Sequence, residues 1–480
     1  MKIKARLLQQ VKNLKECENL WEWIVIIAVL TFSMFTMFYA DFQGTMDYAY
    51  QVTRKVFCGD FGSVKYMAAH SYGMTMFLLL FLWMIPFYFC TIPFGNEFWY
   101  YGSVAGAAWS KLFLVVVTAF LIKAVLELGK QLPVKENNRK WIPLFLLTSM
   151  FYYIPVIQIG QCDIIALTFV MWGLVYYLKG DLKKFLFCFA FAIPMKYFAL
   201  MIFVPLVLLH EKNPIKIIVQ GICGGSLFGI NLLIRQNVWG TVVGSFTSEA
   251  LSNMASTSNS AGVLEEVAEN ATILIESNAV EGFFGPFVAN SSLFVMCYIL
   301  ICVLAYAIPY NKEMHRWVMY IPLLVFSAFF MLTDVNVYWL VLLMPFMTMV
   351  IFSNTMQLRL SMLLETIAGG AMTFIYIFKV PWVVGGELTF DYLFLKGRTV
   401  GSNVETFIHQ EYDLSNLLPY AYSAYVACML GIILINIPGL VKKQNSVEVD
   451  EKFDRWIIWF RTGILYAWTL LLVFVLLLHD

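Results

Sequence analysis

Lys196 stands in the middle of "FCFAFAIPMKYFALMIFVPLVLL" (187–209), an otherwise apolar stretch. A lysine at the centre of a lipid-facing helix costs roughly 2.5–3.5 kcal/mol on insertion scales, so a cation kept there needs a partner or a use. Polar residues interrupt two other apolar stretches. "IPVIQIGQCD" (154–163) carries Gln158, Gln161 and Asp163, and "TDVNVYW" (333–339) carries Asp334 and Asn336. A further group follows the first apolar run, where residues 39–74 hold Asp41, Asp47 and Tyr72. A carboxylate can take the proton from a hydroxyl nucleophile. An ammonium stabilises a phosphate leaving group, more strongly in a dry site than in water.

The elements that must position these groups are membrane helices. Of 480 residues, 60% are hydrophobic and 13% charged, against about 25% charged in soluble domains. Apolar runs recur at Trp23–Ala40, Thr75–Thr91, Ala107–Leu126, Ile217–Ile234, Val295–Ile308, Met362–Phe378, Leu418–Ile437 and Trp456–Leu477. Such runs match a bilayer core. They predict an all-α, polytopic transmembrane helical bundle of about 13–14 membrane segments, several of them short or hairpin-like, with no separate soluble domain. Trp23–Ala40 reads as a retained first span rather than a cleaved signal. The net charge of +1 gives no reason to expect nucleic acid as a partner. The nine cysteines form no C-x-x-C pair and the five histidines are scattered, so no metal motif is read, although a divalent metal assisting the chemistry stays open.

Short basic loops mark the cytoplasmic side. "KGDLKK" (179–184), "HEKNPIK" (210–216), "NKEMHR" (311–316), 354–360 and 441–455 qualify. Both flanks of 185–209 are then inside, which predicts a hairpin turning at "IPMK" with Lys196 at its outward apex, since Pro194 ends a helix. Residues 141–178 repeat the design around 154–163. The turns at 163, 196 and 334–336 thus face one external side, where irregular backbone at membrane depth needs a shared protein-lined or watery pocket. Asp163 and Asn336 also suit helix N-caps, and Lys196 could snorkel to an interface. The expected division is 1–234 with a first external loop at 41–72, an external loop at 235–285, and 286–480 with an external loop at 380–417. Within the first loop, Tyr48, Val52 and Val56 space an interfacial amphipathic helix. One conflict remains: 128–140 is basic, yet two crossings between 73 and 127 would put it outside.

An acid beside the membrane, amides at a turn and a buried lysine together suit transfer of a sugar from a lipid-linked phosphate to an acceptor hydroxyl. The layout resembles the GT-C superfamily of polytopic glycosyltransferases, which use polyprenyl-phosphate sugars. The carriers are the acid after the first span, the Asp47-to-Gly59 spacing, "IQIGQCDIIALTFVMWGLVYY", "AIPMKYFALMIFVPLVLL" and "TDVNVYWLVLLMPF". The resemblance implies Asp47, or else Asp41, as the base, Lys196 on the donor phosphate, and Gln161 and Asp163 lining the sugar site. Gln158, Tyr72, Asp334 and Asn336 complete the candidate substrate-binding set. Two departures stand out: "SYGM" replaces the family's frequent Tyr-Pro-Pro, and Asp334 and Asn336 replace a frequent His. Expected partners are a polyprenyl-phosphate sugar, a glycan or lipid-linked acceptor, and membrane lipids. The expected location is the plasma membrane of a bacterium. A lipid-linked saccharide flippase, or another transporter, would show a path open to both sides. A surface-polysaccharide polymerase using a diphosphate-linked donor would favour several external arginines.

Overall fold

The structure, a computed structural model, describes residues 20–36, 40–64, 73–93, 100, 103–245, 293–309, 314–333, 337–354, 357–379, 415–438 and 451–478. Every regular element among them is a helix. In chain order these are α1 (Leu20–Thr36), α2 (Ala40–Phe57), α3 (Gly73–Thr91), α4 (Val104–Gln131), α5 (Glu136–Arg139), α6 (Trp141–Leu147) and α7 (Met150–Tyr152). A π-helix (Tyr153–Ile159) leads to α8 (Asp163–Leu178), α9 (Leu182–Met195), α10 (Phe198–His210) and α11 (Pro214–Ser245). The second half holds α12 (Leu293–Ala307), α13 (Met314–Leu332), a 3-10 helix (Val337–Leu342), α14 (Met344–Ser353), α15 (Leu358–Lys379), α16 (Leu418–Ile435) and α17 (Glu451–Leu478). Six helices are long and apolar enough to cross a membrane, seven if the bent pair Glu136–Leu147 and Met150–Ile159 counts as one, and five shorter apolar helices accompany them. The protein is an integral, multi-pass, all-α membrane protein.

Helix α4 serves as a ruler for the first hairpin. Its Gly129 sits against Ile142, its Thr118 hydroxyl meets the Tyr152 hydroxyl at 2.6 Å, and Lys111 Nζ lies 3.4 Å from the Ile157 carbonyl. The segment 141–159 therefore runs antiparallel to α4. In the other direction Lys123 lies over the Trp172 ring and Glu127 pairs with Lys179, so α8 runs parallel to it. The chain reverses at Gly160–Cys162. Gly160 takes φ +77°, where glycine is favoured, and a Cβ there would meet Phe42 at 3.2 Å.

The second hairpin also forms. Phe185 and Phe203 have ring centroids 5.7 Å apart, and the Tyr177 hydroxyl donates to the Leu206 carbonyl. On one continuous helix residues 185 and 203 would be about 27 Å apart. Pro194 lies in the last turn of α9, and the break falls two residues later: Lys196 is extended (φ −152°, ψ 112°) while its N–H closes the helix on Ala192. Basic ends thus gather at one end of the molecule, and polar turns at the other.

Helix α3 resolves the topological conflict. It is long and apolar enough to span, yet both of its ends lie at the turn end. The Met74 N–H donates to Asn231 Oδ1, about 25 Å along α11 from Pro214. A Cβ on Gly73 would strike the Pro194 carbonyl, and Phe87 packs on Tyr100 and Trp109 near the start of α4. With α3 a roof rather than a crossing, 128–140 joins the other basic loops. Helix α2 is the amphipathic helix expected from Tyr48, Val52 and Val56, extended to Ala40–Phe57, with Val52 buried. Helix α11 runs from Pro214 to Ser245. Of 380–417 only Ser415–Leu417, a 3-10 turn, is described.

Between α6 and α7 the chain bends by 53°. Ser149 caps α7 by accepting from the Phe151 N–H, and its hydroxyl also donates to Glu365 Oε1 at 2.5 Å. Arg461 from α17 closes the site. It pairs with Glu365, and donates to Thr148 Oγ1 (3.1 Å), Thr366 Oγ1 (3.0 Å) and the Phe145 carbonyl (2.9 Å). Both charged residues are almost fully buried. Further along, the Trp468 indole donates to Gln158 Oε1 (3.1 Å), and Thr469 joins the hydroxyls of Ser33 and Tyr153. The C-terminal helix is thereby stitched along the whole broken segment 145–158.

Candidate functional site

Two polar turns and the 3-10 helix Val337–Leu342 converge at the end opposite the basic loops. Asp163 opens α8 and is fully buried; Lys196 ends α9 with its side chain 13% exposed; Trp339 lies in the 3-10 helix after the third turn. Lys196 Nζ is 3.1 Å from Asp163 Oδ1, 4.8 Å from the Trp339 ring centroid and 5.5 Å from that of Phe198. The ammonium is thus held by one carboxylate and two aromatic faces, each attractive to a cation. Charge alone satisfies Asp163. The ammonium lies off the direction a hydrogen bond needs, and neither carboxylate oxygen has a hydrogen-bond partner. Gln161 Oε1, buried two residues earlier, also lacks one. The turn therefore presents three buried acceptors in want of donors, beside one cation.

The local sequence explains the shape. Pro155 has no N–H and crowds the carbonyl four residues back, and the helix widens there into the π form, which is frequent at functional sites. The N–H groups of Gly160 and Gln161 both turn back to the Pro155 carbonyl, the latter at 2.8 Å. The chain is thereby released to start α8 at Asp163.

The acids of the first loop are placed differently. Asp47 is half-buried on α2, and Gln51 Nε2 donates to its Oδ1 at 3.3 Å. Burial raises its carboxyl above the ordinary value, and the Gln51 hydrogen bond opposes this in part. It lies close enough to Tyr100 for its charge to help raise that phenol, after the larger effect of burial. Helix α2 reaches the first turn through Phe42 on Gly160. The side chain of Asp41, and Tyr72, Asp334 and Asn336, lie outside the described residues. Gln158 is drawn to Trp468. Among the described residues no group of three or more His, Cys, Asp or Glu side chains could hold a metal ion.

On the far side of α8 from Asp163, an apolar groove of about 520 Å³ opens between α4 and α8 beneath α3. Trp83, Phe113, Phe120, Ile165 and Trp172 line it, with Thr168 its polar member. Leu82 and Phe120 at its rim are exposed, so lipid faces it directly.

Sequence reasoning missed Trp339, Phe198 and Lys111. The aromatic pair had a weak signal in "YW" and "KYF", but one lysine inside a 28-residue helix of otherwise apolar face gave none. No family model and no curated protein matches the chain.

Proposed function

We propose that the protein is a glycosyltransferase of the GT-C type. It moves a sugar from a polyprenyl-phosphate donor to an acceptor hydroxyl at the outer face of a bacterial plasma membrane. The observation that carries the reading is the pairing of Lys196 with Asp163 beside unfilled acceptors. A sugar brings hydroxyl donors for Asp163 and Gln161, and its phosphate brings an anion for the open face of Lys196. In the reaction the acceptor hydroxyl attacks the anomeric carbon and loses its proton to Asp47 or Asp41. The bond from that carbon to the phosphate oxygen breaks, and polyprenyl phosphate leaves with its charge held by Lys196. The lipid-facing groove under α3 supports the reading, because a long hydrocarbon chain needs an apolar bed at this depth.

The test is transfer by the purified protein in liposomes. A panel of polyprenyl-phosphate sugars is supplied, and release of polyprenyl phosphate is followed by mass spectrometry. Release is expected from at least one donor, and its loss in Asp163→Asn. Absence of release from every donor, with unchanged cell-surface glycan in a strain carrying Asp163→Asn, would overturn the reading.

A further inference from the structure

A second lysine lies inside the membrane bundle, and neither the ion pairs nor the proposed chemistry uses it. Lys111 is 4% exposed, on the face of α4 turned away from the apolar groove. Its one hydrogen-bond acceptor among the described residues is the carbonyl of Ile157, at 3.4 Å. That carbonyl is at the end of the π-helix. The Gln161 N–H, which would close an ordinary α-turn on it, is taken instead by Pro155. A helix end at this depth has no water to supply the missing donor, and a cation is favourable beside the negative end of a helix. Ammonium and neutral amine both carry the N–H, so the contact does not depend on the lysine's charge.

We propose that Lys111 is a positioning residue: by capping Ile157 it holds the 157–163 turn and so fixes where Gln161 and Asp163 stand. Trp468 and Lys196 reach this turn through the side chains of Gln158 and Asp163, whereas Lys111 is a polar side chain that holds its backbone. Phe42 packs on Gly160, Pro155 closes the backbone from within, and Lys111 ties the turn to α4. The turn also contains its own reporter, Cys162, which is 2% exposed.

The experiment needs no substrate, so its outcome is separate from that of the glycosyltransferase reading. Two proteins are made that keep only Cys162 or only Cys428, the latter a buried thiol on α16 that is 7% exposed. Each carries wild-type Lys111, Lys111→Met or Lys111→Arg, and alkylation by a small maleimide is timed in detergent. Lys111→Met is expected to speed labelling of Cys162 by about tenfold or more through local opening, and to leave Cys428 unchanged. Lys111→Arg restores a donor and should return protection. Should the Met variant fail to fold, Lys111→Leu, which also lacks a donor, is read in the same way. Protection of Cys162 without a donor at 111, or parallel acceleration at Cys428, would overturn the proposal.

Discussion

Among the described residues, the acid–base pairs Glu365–Arg461 and Asp163–Lys196 lie inside the bundle, and they are built oppositely. Glu365 and Arg461 are surrounded by donors and acceptors: a serine hydroxyl, two threonine hydroxyls and the Phe145 carbonyl, with the Phe145 ring beneath the guanidinium. In the second pair Asp163 is met by charge without a hydrogen bond, and Lys196 lies over two aromatic rings and stays partly open. A buried ion pair offsets its desolvation only when the remaining polar atoms are satisfied. The first pair meets that condition and reads as a clamp on the bend between α6 and α7. The second does not, and the unmet hydrogen bonds of Asp163 support the ligand site proposed there. Each pairs a carboxylate with a cation inside the bundle; the hydrogen bonds around the carboxylate separate the clamp from the proposed site.

The largest expected effect breaks the clamp. Glu365→Gln or Arg461→Met strands a buried charge or its donors and should cost about 3–5 kcal/mol. The measurement is thermal unfolding in detergent. The double variant Glu365→Leu/Arg461→Met should recover part of the loss; no recovery would mean the clamp is more than charge balance. The same type of change at the other pair should affect ligand before fold. Lys196→Met is expected to weaken the polyprenyl-phosphate donor by about 30- to 1000-fold, roughly 2–4 kcal/mol. Its unfolding temperature should shift far less than in the Arg461 variant. Lys196→Arg should restore binding only in part, since a planar fork does not replace a compact ammonium. Unchanged donor affinity in the Met variant would erase the distinction between the pairs.

A smaller effect sharpens the comparison through the backbone. Gly160→Ala puts a side chain at positive φ and against Phe42, which should cost about 1–3 kcal/mol and displace the turn. Transfer should fall by more than stability explains, and the clamp should be untouched. The smallest concerns Asp47. Its carboxyl is raised by burial, so the stability it contributes is fully present below its unfolded value and is lost as pH rises through the raised folded value. Asp47→Asn should remove that slope from a profile of unfolding temperature against pH. If Asp47 is the base, wild-type transfer should fall as pH drops through the same raised value, and the Asn variant should be inactive throughout. Full activity in that variant would pass the role to Asp41.

Much of the architecture is determined by local composition. Runs of about 20 apolar residues have nowhere to go but a bilayer, and basic loops on both flanks of 185–209 force a reversal that Pro194 permits. The turn at 160–162 follows from Pro155 and Gly160 for the same reason: backbone preference acts within a few residues, where sequence is explicit. Three polar interruptions on one side already imply convergence. Their partners were decided only by the tertiary structure. Helix α3 has the length and hydropathy of a span, and becomes a roof because Asn231, Pro194 and Trp109 hold its ends. Glu365 finds Arg461 across 96 positions of chain, and Lys111 finds a carbonyl that is free only because a π-turn has redirected its usual donor. Whether a buried charge is a clamp, a cap or a site depends on which groups lie within 3–4 Å of it. That is set by packing between distant segments, and no local pattern records it.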